Sequence, residues 1–271
     1  MTNYTEHDVL ANGINIHYYR STPPGGAKPA KPTLVLIHGL TDNGMCWVRV
    51  ADALRDSYDI VLPDTRGHGK SEKPQAGYDV EERAADVASL IDALGLDRPV
   101  LFGHSLGGQV ATATAALYPE KVRALVLEDP AWLGGAAPEN EVDGWANGLR
   151  QNQGLTREAL IAQVRSENPG WHEAELAPWA DSKIQMSEHA LRQILRSLSI
   201  GWQEFARKIQ CPTLLVTGEK DIIVNPAMVQ EASALSPHIR EANIPGAGHS
   251  IHRDRFEPYM EQVQAFLDTV A

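Results

Sequence analysis

The sequence predicts an α/β fold: a mostly parallel central sheet opened by an N-terminal hairpin, helices on both faces, and a helical cap inserted after the sixth strand. Three observations carry this. Short apolar runs without polar alternation recur along the chain. Helical patterns lie between them. The rhythm then stops for about eighty residues after Asp129 and resumes.

The elements follow in order. "HDVLA" and "INIHYYR" flank Asn12-Gly13, a dipeptide suited to the positive φ angles of a type I′ turn, so residues 5–20 read as a β-hairpin. "STPPGGAKPAKP" (21–32) is a surface loop, not a domain linker, because only a hairpin precedes it. "TLVLI" (33–37), "YDIVLPD" (58–64), "PVLFG" (99–103), "RALVLED" (123–129) and "PTLLVTG" (212–218) read as strands buried on both faces, as in a parallel sheet. The clearest helix spans 80–94. Ala84, Val87, Ala88, Ile91 and Leu94 share one face, Asp79 caps the start with Glu82 three residues on, and Gly95 closes the end. Strand–helix alternation implies right-handed crossovers.

Between Pro130 and about Lys208 the patterns are helical, as in "TREALIAQVRS" and "EHALRQILRSL", and five of the six tryptophans fall there. Such a length exceeds an ordinary connection. The expected organisation is a core of residues 1–130 and 209–271 with a cap at 131–208. "RFEPYMEQVQAFLDTV" closes the chain as an amphipathic helix.

Composition narrows the function. The 271 residues carry a formal charge of −11, which argues against nucleic acid or an anionic membrane as partner. Cys46 and Cys211 are too few for a disulfide framework and are expected as reduced, buried thiols. "MTNYTEHDVLANG" lacks the features of a signal peptide, and no apolar run reaches the ~18 residues of a membrane span, so a cytoplasmic location is expected.

The chemistry centres on "VLFGHSLGGQVATAT". Gly103-His104-Ser105-Leu106-Gly107 lies between a buried strand and a helix, the context of a nucleophile elbow. Side chains at 103 and 107 would collide with neighbouring backbone, and the turn exposes the Ser105 hydroxyl at the carboxyl edge of the sheet. The spacing is neither that of a dinucleotide-binding loop nor that of a P-loop. A serine needs a base, and the base needs an orienting carboxylate. "LLVTGEKDIIV" offers Asp221 and "IPGAGHSIHRD" offers His249, in the chain order expected of the scaffold. Asp129, which also follows a strand, is the alternative carboxylate, and His252 the alternative base. The oxyanion donors are expected to be the backbone N–H groups of Leu106, at the helix start, and Leu40, after "TLVLIHG". His38 is expected to shape that loop. His104 is expected to pack or hydrogen-bond beside the elbow. Trp132 and Trp47 are the expected aromatic walls of the substrate pocket.

"HGLTDNG", "LPDTRGHGKSEKP", "GHSLGG", "GEKD" and "GAGH" occur in the order and spacing of the α/β-hydrolase superfamily, and the chain resembles its small bacterial esterase, C–C-bond hydrolase and haloperoxidase-like members over about 190 residues outside the cap. The resemblance implies acyl transfer with no metal or organic cofactor, and structural roles for Asp64, Arg66 and His68. Relatives that cleave carbon–halogen bonds or epoxides carry aspartate at the elbow. Ser105 therefore favours a serine esterase acting on small to medium, fairly apolar esters. Hydrolysis of C–C, lactone, thioester or amide bonds by the same triad, and ligand sensing on the same scaffold, stay open, as does monomer against homodimer.

Overall fold

The hairpin forms the sheet's antiparallel edge. The structure is a computed structural model, and it describes residues 4–21, 31–198, 201–220 and 222–270. β1 (Tyr4–Ala11) pairs antiparallel with β2 (Ile14–Ser21), and the turn residues Asn12 and Gly13 have φ of 48° and 76°. This is the left-handed pair that a type I′ turn requires. Of the expected loop at 21–32, residues 22–30 lie outside the described residues.

Six further strands are parallel: β3 (Thr33–Ile37), β4 (Asp59–Pro63), β5 (Val100–His104), β6 (Ala124–Glu128), β7 (Thr213–Thr217) and β8 (Ile239–Asn243). The sheet order is β1-β2-β4-β3-β5-β6-β7-β8, with β2 antiparallel to β4. The helices are α1 (Val48–Leu54), α2 (Val80–Ala93), α3 (Leu106–Leu117), α4 (Glu139–Gln153), α5 (Arg157–Glu167), α6 (Glu173–Gln185), α7 (Glu188–Arg196), α8 (Trp202–Lys208), α9 (Pro226–Leu235), α10 (Ile251–Asp254) and α11 (Phe256–Val270).

Alternation along the strands explains their unbroken apolar runs. Leu34, Leu36, Phe102, Val126 and Leu214 face one layer, where Val50 and Leu54 of α1 and Val263 and Phe266 of α11 cover them. Val35, Ile37, Leu101, Leu125 and Leu215 face the other, under α2, α3, α8 and α9. A period of two with both faces covered leaves no polar position in the strand centres. The expected cap on α2 is present: Asp79 accepts from the Glu82 N–H at 2.9 Å.

In the long insertion, α4 packs on α7 and α5 on α6. The first and last residues of the interval 131–208 behave differently. α8 packs on α3, and Trp202 stacks on Trp132 at 4.8 Å within the core under the sheet. Among the described residues, no helix is long and apolar enough to cross a membrane.

Candidate active site

Ser105 sits between β5 and α3 with φ 51° and ψ −115°, a strained backbone for a residue with a side chain. Tight packing holds it there. Its N–H donates to the Glu128 carbonyl at 2.9 Å, and its carbonyl accepts from Ala131 at 2.9 Å. A Cβ on Gly103 would lie 2.3 Å from the Gly107 carbonyl oxygen, and one on Gly107 would lie 2.1 Å from that of Ile37. Both contacts are with backbone, so both positions require glycine.

His249 lies in the loop between β8 and α10. Its Nδ1–H donates to Asp129 Oδ2 at 2.6 Å. The expected partner was Asp221, which lies outside the described residues. The imidazole has one Nδ1 hydrogen, and in this structure Asp129 takes it. Asp129 follows β6 with φ 37° and is fully buried. Its carboxylate also accepts from Ile223 N–H at 3.0 Å and Val224 N–H at 2.8 Å. The loop that follows Asp221 thus donates two amides to the Asp129 carboxylate.

Ser105 and His249 open onto one cavity of about 690 Å³, which Leu40 and Leu106 also line. Among the described residues, neither the Leu40 nor the Leu106 N–H has a protein acceptor. Leu106 is the first residue of α3, where helical N–H groups have no intrahelical partner. The Leu40 loop is shaped as expected by His38. This buried ring donates from Nδ1 to the Gly39 carbonyl at 2.8 Å and accepts at Nε2 from the Thr65 N–H at 3.0 Å. Burial pushes its pKa down. Asp64 accepts from Gly44 N–H and Lys70 N–H, both at 2.8 Å, and Arg66 pairs with Asp86. His68 is fully buried and donates from Nδ1 to the Arg66 carbonyl at 2.9 Å. None of the three lines the cavity.

The expected aromatic walls are elsewhere. Trp132 is buried in the core, stacked on Trp202, with its Nε1–H donating to Thr112 Oγ1 at 3.1 Å. Trp47 packs beneath the site against His252, ring centroids 4.5 Å apart. The tryptophans that do line the cavity are Trp145, Trp171 and Trp179, from α4, the α5–α6 loop and α6. His104 lines it too. Its Nε2–H donates to the His249 carbonyl at 3.0 Å, and burial pushes its pKa down to about 3, so the ring is neutral. His252, the alternative base, is buried away from the cavity on Glu128.

Sequence reasoning missed a charged cluster in the cavity wall. Asp42 accepts from Lys183 Nζ at 3.1 Å and from Arg253 Nη2 at 3.0 Å, and all three residues are buried. Lys183 also donates to the Thr41 carbonyl at 2.9 Å. Burial alone would raise the Asp42 carboxyl, but Arg253 and Lys183 hold it well below the usual carboxylate range. The cluster ties the Leu40 loop to α6 and to the helix after His249. No local motif announces it, since Asp42 lies 141 residues from Lys183 and 211 from Arg253 in sequence. Cys46 and Cys211 are both buried and unpaired, and burial pushes their thiols up to about 12 and about 11.

Known proteins are similar to this chain in sequence and fold. The family profile of the alpha/beta hydrolase fold matches residues 32–256. A 2-(acetamidomethylene)succinate hydrolase of Mesorhizobium japonicum is 29% identical over 255 residues, covering 89% of this chain and 90% of the relative. An N-formylmaleamate deformylase of Pseudomonas putida is 29% identical over 266 residues, covering 96% of each. The crystal structure of an E-2-(acetamidomethylene)succinate hydrolase superposes with a TM-score of 0.82 at 26% identity, over 98% of this chain and 99% of that one. The match spans most of the chain, and the protein belongs to the α/β-hydrolase family.

Proposed function

We propose that the protein is a serine hydrolase that cleaves carboxylic esters of small to medium, fairly apolar substrates through an acyl-enzyme. One observation carries the reading: a strained Ser105 shares its cavity with His249, whose Nδ1–H is held by the buried Asp129. His249 Nε2 takes the Ser105 proton as Oγ attacks the substrate carbonyl carbon. Asp129 fixes the tautomer and stabilises the imidazolium. The oxyanion accepts from the Leu40 and Leu106 N–H groups. Two pre-aimed amides of this kind are worth about 3–4 kcal/mol each to the transition state. The His249 imidazolium then gives its proton to the leaving alkoxide oxygen, which departs as the alcohol, and a water deprotonated by His249 attacks the acyl-enzyme and releases the acid.

The test is hydrolysis of p-nitrophenyl esters with two-, four- and eight-carbon acyl chains by wild type and Ser105→Ala. Turnover at about 1 per second or faster by wild type alone supports the reading. Wild type that is silent on all three esters refutes simple esterase activity.

A second reading has its own support. Arg253 and Lys183, two cations that share the Asp42 carboxylate, line the cavity together with Glu141. The two relatives act, by name, on a succinate and a maleamate, which are acids carrying a hydrolysable C–N bond. The same triad would cleave such a bond in an acidic substrate. A preference for an N-acyl substrate with a free carboxylate over its methyl ester favours this reading.

A further inference from the structure

A second buried carboxylate–histidine pair lies directly behind the first. β6 ends at Glu128, Asp129 follows directly, and the two carboxylates bond different histidines. Asp129 reaches His249. Glu128 turns to the other side, where it is fully buried and accepts from His252 Nδ1–H at 2.8 Å and from the His252 backbone N–H at 3.0 Å. Burial alone would raise the Glu128 carboxyl, but the His252 ring and N–H groups hold it at about 2, so it is ionised. The proposed chemistry uses neither residue.

Several of their contacts lead back to the site. The Glu128 carbonyl accepts the Ser105 N–H, so one residue grips the nucleophile by its backbone and the histidine loop by its side chain. His252 is three residues beyond His249 and is clamped flat against Trp47. His104 meets the His252 ring edge-on at 5.7 Å and donates to the His249 carbonyl. His249 itself is a third exposed, and its ring is held by one hydrogen bond.

We infer that the Glu128–His252 pair, acting with His104, positions His249 for proton transfer and keeps its loop in register with Ser105. This rests on the reading of His249 as the base. A buried charged carboxylate is seldom worth its desolvation for stability alone, whereas misplacing a catalytic group by about 1 Å costs roughly a hundredfold in rate. The two pairs hang from consecutive residues, Glu128 at the end of β6 and Asp129 next to it, so the end of the strand fixes the spacing between His249 and His252.

The experiment uses Glu128→Gln and the double variant Glu128→Leu/His252→Phe. The double variant replaces the buried carboxylate–histidine pair by apolar groups of similar shape and keeps a ring on Trp47, so it retains the fold even where the single variant does not. Three readouts are taken: kcat and KM, the low-field proton NMR signal of His249 Nδ1–H, and labelling of Ser105 by a fluorophosphonate. The expected result is kcat about tenfold or more lower with KM changed less than about twofold, and a low-field signal broadened or lost. An unchanged kcat and an unchanged signal in a folded variant overturn the inference, whatever happens to Tm. A wild-type protein that resists the fluorophosphonate refutes the serine-hydrolase reading, and the His249 signal still decides whether Glu128 and His252 hold that ring.

Discussion

Asp129 Oδ2 lies 2.6 Å from His249 Nδ1, although 120 residues separate them in the chain. In the proposed mechanism this bond sets the tautomer that leaves Nε2 free to accept the Ser105 proton. Asp129→Asn should therefore lower kcat by about 10⁴ with little change in KM. Asp221→Asn should leave kcat within about threefold, a change worth less than 1 kcal/mol. Steady-state kinetics of the two variants checks the assignment, and equal losses would reopen it.

Much of this is legible in the amino-acid sequence. The hairpin, the first five apolar strands and the elbow glycines follow from local chemistry: Asn12-Gly13 needs a left-handed turn, and the strand centres need two covered faces. The carboxylate was not legible. Asp129 and Asp221 each follow a buried strand, and no local pattern reveals that Asp129 is held by the 223 and 224 amides and bonds His249. The tryptophans failed for a related reason. Trp132 leaves β6 into the layer under α3, while Trp145, Trp171 and Trp179 reach the cavity from elements whose packing no local pattern reveals.

The two groups of tryptophans should separate in experiment. Trp132→Ala removes a buried stacked ring and should cost about 3–5 kcal/mol of stability. The surviving folded protein should keep its acyl-chain preference. Trp145 is 50% exposed in the cavity wall, so Trp145→Ala should change stability by less than about 0.5 kcal/mol. It should instead raise KM and alter the chain-length profile. Urea denaturation beside the ester series measures both, and a Trp145→Ala profile identical to wild type would remove that residue from the substrate wall.

Asp42 neutralises two buried cations at once. Removing it leaves Lys183 and Arg253 facing each other without a carboxylate. Asp42→Ala should destabilise the protein by about 3–5 kcal/mol, most of it the cost of uncompensated buried charge. Activity should fall as well, because Lys183 then loses part of its hold on the Thr41 segment next to the Leu40 amide. A lowered urea midpoint together with a lowered kcat/KM is the expected pair of results. Unchanged stability would mean that the cluster is neutralised by other groups.

Acid should unfold the protein in two overlapping stages. His38, His68 and His104 are buried, and burial lowers the pKa of each, to about 3 for His104. In the unfolded chain these rings take up protons below the ordinary histidine value of about 6.5, whereas the folded rings stay neutral. The unfolded state then binds more protons, so stability falls as pH drops below about 6.5, by up to roughly 1.4 kcal/mol per pH unit for each ring. Glu128 adds a second loss. Its folded pKa of about 2 lies below the unfolded value of 4.5, so its contribution is complete above 4.5 and disappears as pH falls through 2. Urea midpoints between pH 7.5 and 4 should decline steadily, and His104→Asn should flatten the slope by one ring's share. A midpoint that holds constant from pH 7 to 5 would show that these histidines take up protons in the folded state as readily as in the unfolded chain.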